Sequence, residues 1–404
     1  MSAAPHLPWP VSALHISRAW GSHHGGSYYS KALVDQLSQK EVEVTLLAEQ
    51  FLDTQSSFKQ IRLAAFFRSD LLAWPRRVWE VLKVCRLAVT MRGVIVIAQG
   101  DLPRLTYLLL QMFVPLIFIR QDGILTCPGT TRFLRQSRTV CDRKMGLSCL
   151  AVHRVETCMQ ALSLWKRIGR VVFRIRDRLL LLCIHYFVAS SRYLARAHDR
   201  PARVVYPPVL TRREKAADVV RDLNRLIFCG RLEEVKGAAE AIGILSLLPE
   251  QYHLKILGEG PERERLSKLA EELGLRSRVT FSGWVDGPAR DRALGSSGVL
   301  LMPSLCDEAF GMAGIEAMSL GTPVVAYNVG GVAEWCHGDG GVLVRCGDMA
   351  GAAMAVRELT GNADRWAEHS RAALLVVEQK FPAERFGREV GEMVGEVRTA
   401  KYAK

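Results

Sequence analysis

Seven residues separate Glu308 from Glu316 in the run Pro303-Ser304-Leu305-Cys306-Asp307-Glu308-Ala309-Phe310-Gly311-Met312-Ala313-Gly314-Ile315-Glu316. The run follows an apolar strand pattern that ends at Met302. Gly311 reads as a helix start, and the free N–H groups of a helix's first turn attract a diphosphate. Glu308 then sits in the loop before the helix, within reach of a sugar. Glu316 sits more than one turn inside it, where a carboxylate takes two ribose hydroxyls. On spacing alone the pair reads equally well as the solvated acids of a capped helix.

A second group carries positive charge. The strand pattern Ile227–Cys229 ends in Gly230-Arg231-Leu232, and Lys236-Gly237 opens the next helical pattern. An Arg and a Lys five residues apart at the carboxyl end of a strand form a cationic pair for a pyrophosphate. They supply charge to a nucleoside-diphosphate leaving group without a metal. In isolation such a pair is more commonly just surface charge. Gly258-Glu259-Gly260-Pro261 imitates the start of a dinucleotide fingerprint, but Arg263 takes the third glycine position, which argues against a dehydrogenase. Val329-Gly330-Gly331 forms one more Gly-rich turn after a buried strand pattern. In the first half, Trp20-Gly21-Ser22-His23-His24-Gly25-Gly26-Ser27 leads from a strand into a helix. Gly25 and Gly26 let backbone approach phosphate or substrate there. His23 and His24 are acceptor-contact candidates, although a histidine pair in a loop is more often solvated.

The elements that must position these groups alternate. Strands are expected at Ala13–Ser17, Val42–Leu47, Val94–Ala98, Val114–Arg120, Tyr186–Ser190 and Arg203–Tyr206, with helical patterns between them. Tyr206-Pro207-Pro208 opposes helix and central strand and marks a break. Thr211 to Asn224 reads as a linker or surface helix. Strands then fit Arg225–Cys229, His253–Leu257, Val279–Phe281, Val299–Met302 and Pro323–Ala326, and amphipathic helices run from about Asp364 to Arg398. Alternation of this kind predicts parallel, doubly wound sheets. A first domain is expected over 1–206 and a second over 207–381, with a helix of about 382–404 packing back on the first.

Of the 404 residues 49% are apolar, which excludes a disordered chain. No apolar run reaches the ~18–20 residues that span a bilayer, and Met1 to Val11 lacks the pattern of a secretion signal. A cytoplasmic enzyme is expected. The net charge of +13 is uneven: residues 1–200 hold 28 basic against 13 acidic side chains, and residues 201–404 hold 26 against 28. The basic half implies an acidic partner.

Taken together these pieces resemble the family-4 retaining glycosyltransferases of the GT-B fold. The resemblance rests on Gly25-Gly26, Gly230-Arg231 with Lys236-Gly237, Gly258-Glu259-Gly260-Pro261, Phe281-Ser282-Gly283-Trp284-Val285, the Glu308–Glu316 run and Gly321-Thr322-Pro323-Val324-Val325. It implies an α/β fold of two Rossmann-like, doubly wound domains facing a central cleft. It implies metal-independent transfer with retained anomeric configuration from a UDP- or GDP-type sugar to a hydroxyl acceptor, with the nucleotide sugar as co-substrate and no other cofactor. Arg231 and Lys236 would hold the diphosphate, Glu308 the sugar hydroxyls, and Phe310, Gly311, Met312 and Ala313 would offer backbone amides. Glu316 would hold the ribose, and Trp284 and Val285 would lie by the base. Where the family places a histidine at the end of a first-domain strand, often before Asp, this chain has Gln121 before Asp122. Gln121 can bind a sugar but cannot carry a proton, so the chemical role falls to Asp122 or His24.

Two features are not absorbed. Cys127, Cys141, Cys149 and Cys158 follow Asp122 at irregular spacings. Thiolates suit zinc, but this spacing favours buried thiols in a loop-rich insertion, and no metal is assigned. Phe66-Phe67-Arg68 with Trp74 to Arg86, and the basic apolar stretch Leu162–Cys183, suit an anionic membrane surface as well as a core helix with a basic face. They favour a peripheral enzyme of the inner membrane face with a lipid-linked or anionic acceptor, serving surface polysaccharide, glycolipid or other glycoconjugate synthesis. Alternatives are glycosylation of a small natural product, a GT-B epimerase or phosphorylase, or a nucleic-acid-binding protein. No base-reading motif supports the last, and no nucleic acid is expected.

Overall fold

Leu116–Arg120, with the sequence LIFIR, is buried at every position, and Ser297–Met302 is too. Strands with no polar face must be covered on both sides, which is the habit of parallel sheets flanked by helices. The computed structural model describes residues 12–20, 25–51, 57–63, 74–91, 94–99, 104–121, 127–129, 131–156, 158–159, 163–198, 201–209, 220–285 and 287–402.

The chain divides into two compact units. The first holds Met1–Leu125, Val172–Pro208 and Ala383–Lys404. Its elements begin with β1 (Ser12–Trp20), α1 (Gly25–Gln39), β2 (Glu43–Phe51) and β3 (Lys59–Arg62). They continue with α2 (Trp74–Thr90), β4 (Val94–Gln99), α3 (Arg104–Phe113) and β5 (Leu116–Arg120). The hairpin β6 (Phe133–Leu134) and β7 (Thr139–Val140) and the helix α4 (Ser148–Glu156) come next along the chain but belong to the second unit. After α5 (Leu164–Leu182) come β8 (Phe187–Ala189), α6 (Arg192–Ala197) and β9 (Arg203–Val204). The sheet runs β3-β2-β1-β4-β5-β8-β9 with every pair parallel.

The second unit holds Thr126–Val171 and Val209–Pro382. Its larger part begins with β10 (Asp222–Cys229), α7 (Ala238–Ser246), β11 (His253–Leu257), α8 (Arg263–Glu272) and β12 (Val279–Phe281). It continues with α9 (Gly287–Gly295), β13 (Ser297–Met302), α10 (Met312–Ser319), β14 (Val324–Tyr327) and β15 (Gly341–Val344). Helices α11 (Met349–Thr360) and α12 (Ala363–Lys380) complete it, and α13 (Ala383–Tyr402) returns to the first unit. Its sheet is also all parallel, in the order β12-β11-β10-β13-β14-β15. The order reverses between β10 and β13, so the loops after these two strands open at a switch point, where doubly wound sheets bind ligands.

Helix α13 is joined to the first unit by an apolar stripe. Phe386, Val390, Met393, Val394 and Val397 lie in one buried cluster with Leu33, Leu37 and Ile97. The Tyr29 and Phe386 rings meet edge to face at 5.3 Å. At the polar margin Arg203 pairs with Glu392 at 2.6 Å and with Glu396.

Residues 126–171 group with the second unit, where the expected first domain was read as 1–206. Ion pairs join them to it. Arg132, Arg135 and Arg138 pair with Asp307, Glu234 and Glu240, all carboxylates of the second unit. Of the linker read at Thr211–Asn224, residues 211–219 lie outside the described residues, and Asp222–Asn224 extends β10.

Candidate active site

The loops after β10 and β13 bring the charged residues of the second unit together. The turn 234–236 is a single turn of 3-10 helix and ends at Gly237, whose φ of +76° is left-handed. A Cβ there would lie 1.8 Å from the Pro303 carbonyl oxygen. Only glycine therefore lets the β10 loop lie against the β13 loop. Lys236 Nζ then donates to Glu308 Oε1 at 2.7 Å, and Ser304 Oγ donates to the same oxygen at 2.7 Å. The two side chains retain 25% and 14% exposure, so this ion pair is largely shielded from water.

Burial alone would raise the Glu308 carboxyl. The Lys236 charge and hydrogen bond, the Ser304 hydroxyl and the Arg231 charge outweigh it and hold Glu308 below the ordinary carboxylate range. Burial likewise opposes the Lys236 ammonium, and Glu308 reverses this, so Lys236 is held above its usual value. Both are ionised at neutral pH. Cys306, two residues before Glu308, is pushed up to about 12 by burial first and then by the Glu308 charge, so its thiol is no nucleophile.

The backbone of Glu308 is fixed from the other side. Its carbonyl accepts from the Gly331 N–H at 2.7 Å. Gly330 has φ +57°, and a Cβ there would approach the Glu308 carbonyl oxygen to 2.1 Å. The turn Gly330–Glu334 is a 3-10 helix.

Gly311 caps α10, and no side chain caps it there; of the first-turn N–H groups, that of Gly314 donates to the Gly311 carbonyl at 3.0 Å. Met312 and Ala313 begin this helix. The Phe310 side chain is buried and meets Phe381 edge to face at 5.3 Å, while its carbonyl accepts from Trp335 Nε1. Glu316 lies along α10 and pairs with Arg290 Nη2 of α9 at 3.3 Å. Burial raises the Glu316 carboxyl more than Arg290 lowers it. Arg290 Nε is buried and makes no hydrogen bond within the described residues. Arg231 is half exposed and pairs with Glu233. Gly230 ends β10's run and Trp284 is 49% exposed, with Val285 half-buried beside it.

The first-unit candidates are less fully placed. Gly25 and Gly26 open α1, and Gln121 follows β5, half-buried. His23, His24 and Asp122 lie outside the described residues. Cys127, Cys141, Cys149 and Cys158 are in no disulfide and are half-buried. Burial raises Cys127 and pushes Cys158 up to about 11, which keeps these thiols protonated. Among the described residues no group of three or more His, Cys, Asp or Glu side chains is placed to hold a metal ion.

Sequence reasoning missed Ser304, Arg290 and Asp307. Ser304 had a readable signal, because it stands four residues before Glu308 in the same loop. Arg290 had none, because it arrives from α9.

Residues 212–373 match the family described as glycosyl transferases group 1. A lipopolysaccharide core biosynthesis glycosyltransferase of Rhizobium meliloti, LpsE, is 35% identical over 147 residues, covering 36% of this chain and 42% of that protein. The chain thus spans less than half the length of that relative. Among solved structures, Anabaena HepE in complex with UDP-glucose is similar with a TM-score of 0.67 at 17% identity, covering 95% of this chain and 99% of that one. Sucrose-phosphate synthase from Thermosynechococcus elongatus is similar with a TM-score of 0.71 at 18% identity, covering 96% and 99%. At such identities the likeness establishes the fold, which is GT-B with two Rossmann-like domains.

Proposed function

We propose that this chain transfers a sugar from a nucleoside-diphosphate sugar to a hydroxyl acceptor, without a metal and with retention at the anomeric carbon. The observation that carries the reading is the Lys236–Glu308–Ser304 cluster beside the N-terminus of α10, at the switch point of a parallel sheet. In the proposed reaction the acceptor oxygen bonds to the anomeric carbon as the bond from that carbon to the diphosphate breaks. The acceptor's proton passes to the departing diphosphate oxygen. Arg231 and Lys236 balance the charge that builds on the diphosphate. Ionised Glu308 accepts hydrogen bonds from the sugar hydroxyls and holds the ring against the acceptor. Glu316, oriented by Arg290, accepts from the ribose hydroxyls. The UDP-glucose bound by HepE supports a uridine-type donor.

The acceptor reading rests on surface chemistry. On α5 Trp165 is 80% exposed and Leu179 60%, interleaved with Lys166, Arg170 and Arg176. On α2 Trp79 is 62% and Leu82 61% exposed, beside Lys83 and Arg86. Exposed aromatics among cations suit an anionic lipid surface. Among the described residues no helix is long and apolar enough to cross a membrane. We therefore propose a lipid-linked acceptor reached from the membrane surface. Flotation with anionic vesicles but not neutral ones, lost in the Trp79→Ala/Trp165→Ala variant, is the expected result; equal flotation with both vesicle types refutes the membrane contact.

The transfer itself is tested by incubating the chain with uridine- and guanosine-diphosphate sugars and a lipid extract. Phosphorus NMR is expected to show the free nucleoside diphosphate, and proton NMR an anomeric coupling like that of the donor. No diphosphate release with any donor refutes transfer, and an inverted coupling refutes retention.

A further inference from the structure

The hairpin β6–β7 carries three arginines at a spacing of three: Arg132, Arg135 and Arg138. Each reaches a carboxylate on a different element around the proposed donor site. Arg132 Nε lies 2.9 Å from Asp307 Oδ2, with side-chain exposures of only 16% and 8%. Asp307 immediately precedes Glu308. Arg135 Nη1 lies 2.5 Å from Glu234 Oε2, in the turn that ends at Lys236. Arg138 Nη2 lies 2.6 Å from Glu240 Oε1 on α7, and the other Glu240 oxygen accepts from Tyr327 of β14 at 3.1 Å.

The hairpin is itself braced for this. The Cys141 N–H donates to the Arg132 carbonyl at 2.7 Å, and Arg132 Nε donates back to the Cys141 carbonyl at 2.8 Å. Arg132 and Arg138 adopt φ of +53° and +52°, a backbone that non-glycine residues rarely take. Such local strain persists where the surrounding contacts impose it. Two of the three arginines that meet the donor-side carboxylates are the ones so constrained.

We propose that the β6–β7 hairpin is a clamp on the donor site, in which Arg132 and Arg135 are positioning residues that hold the Glu308 loop and the Lys236 turn in register. It rests on the donor-binding reading above. The Arg132 guanidinium is itself held by donating Nε and Nη2 to the Cys141 carbonyl, so its charge faces Asp307 from a fixed place, which a flexible lysine would not provide. A displacement of the order of 1 Å in a substrate-holding group costs about 100-fold in rate. The Lys236–Glu308 contact, which the two loops meet to form, is where such a displacement would fall.

The experiment uses the full chain in four forms: wild type, Arg132→Ala, Arg132→Lys and Arg135→Ala. Amide hydrogen exchange is followed without ligand in peptides covering 230–237 and 303–311. The clamp predicts exchange in 303–311 faster by about tenfold in Arg132→Ala and in 230–237 by a similar factor in Arg135→Ala, each opening only its own loop. Peptides covering β11 and β12 are expected to be unchanged. Donor KM is expected to rise about tenfold in Arg132→Ala, with acceptor KM unaltered and only partial rescue in Arg132→Lys. Arg276→Ala, which removes an exposed pair with Glu271, is the control expected to change nothing. Unchanged exchange in both loops overturns the clamp, whatever the donor proves to be, and so does uniform loosening of the whole unit. Failure of the wild-type chain to bind any nucleotide sugar overturns the donor reading instead and is read independently of the exchange data.

Discussion

Glu308→Gln removes one charge and keeps the shape, and its cost can be worked in two parts. In the free protein Lys236, with 25% of its side chain exposed, loses its counter-ion. Breaking a fully buried pair by removing one partner costs about 3–5 kcal/mol. Water reaches Lys236, so about 1–2 kcal/mol of stability is the better figure here. That lowers the melting temperature by about 2–8 °C. In the transition state a charged hydrogen bond to the sugar becomes a neutral one, a loss of about 1–1.5 kcal/mol. The corresponding fall in kcat/KM is about 5- to 13-fold. Donor-varied initial rates measure it, and the melting curve separates the two effects. A variant that keeps kcat/KM within twofold while losing stability would show that Glu308 serves only as the Lys236 counter-ion, and the sugar-holding role would fall.

Glu308 is held low and Lys236 high, so their contributions to stability have opposite pH limits. The Glu308 share is present above the ordinary carboxylate range and is lost as pH falls through its folded value; the Lys236 share is present below the ordinary ammonium range and is lost as pH rises through its folded value. The urea midpoint difference between wild type and Lys236→Met/Glu308→Gln is therefore expected to be level from about pH 6 to 9 and to shrink at both ends; a single peak near pH 4 would contradict the assignment. Phe386→Ala opens the seam of α13, since Phe386 is 2% exposed and stacks on Tyr29. It should destabilise by about 3–5 kcal/mol in urea unfolding, and a loss below about 1 kcal/mol would mean that α13 is not held through its apolar stripe. Arg290→Leu leaves Glu316 without its partner, and the donor's affinity is expected to fall about tenfold or more; unchanged calorimetric affinity would remove Arg290 and Glu316 from the ribose site.

The parallel sheets were legible because their strands are short apolar runs between helical periods. His253–Leu257 and Val279–Phe281 have the same bounds in pattern and structure. β15 was missed because glycine, a poor strand former, begins it and only its two ends are buried. The Glu308–Glu316 run was legible as a loop entering a helix, since Gly311 takes the cap position. Its chemistry was not, because what distinguishes a solvated acid from a sugar ligand is the partner. Lys236 is 72 residues away in sequence and Arg290 comes from another helix, and spacing carries no information about either contact. The placement of 126–171 was hidden for the same reason. Three arginines in a polar loop look like surface charge until the carboxylates opposite them are known.

The central claim is that the second unit holds a nucleoside-diphosphate sugar through Arg231, Lys236, Glu308 and Glu316. Calorimetric titration of the full chain with a panel of uridine- and guanosine-diphosphate sugars tests it most directly. The account predicts one site for at least one donor, weakened by tenfold or more in Arg231→Ala/Lys236→Ala. Binding of no donor, or binding that the double variant leaves unchanged, would contradict it.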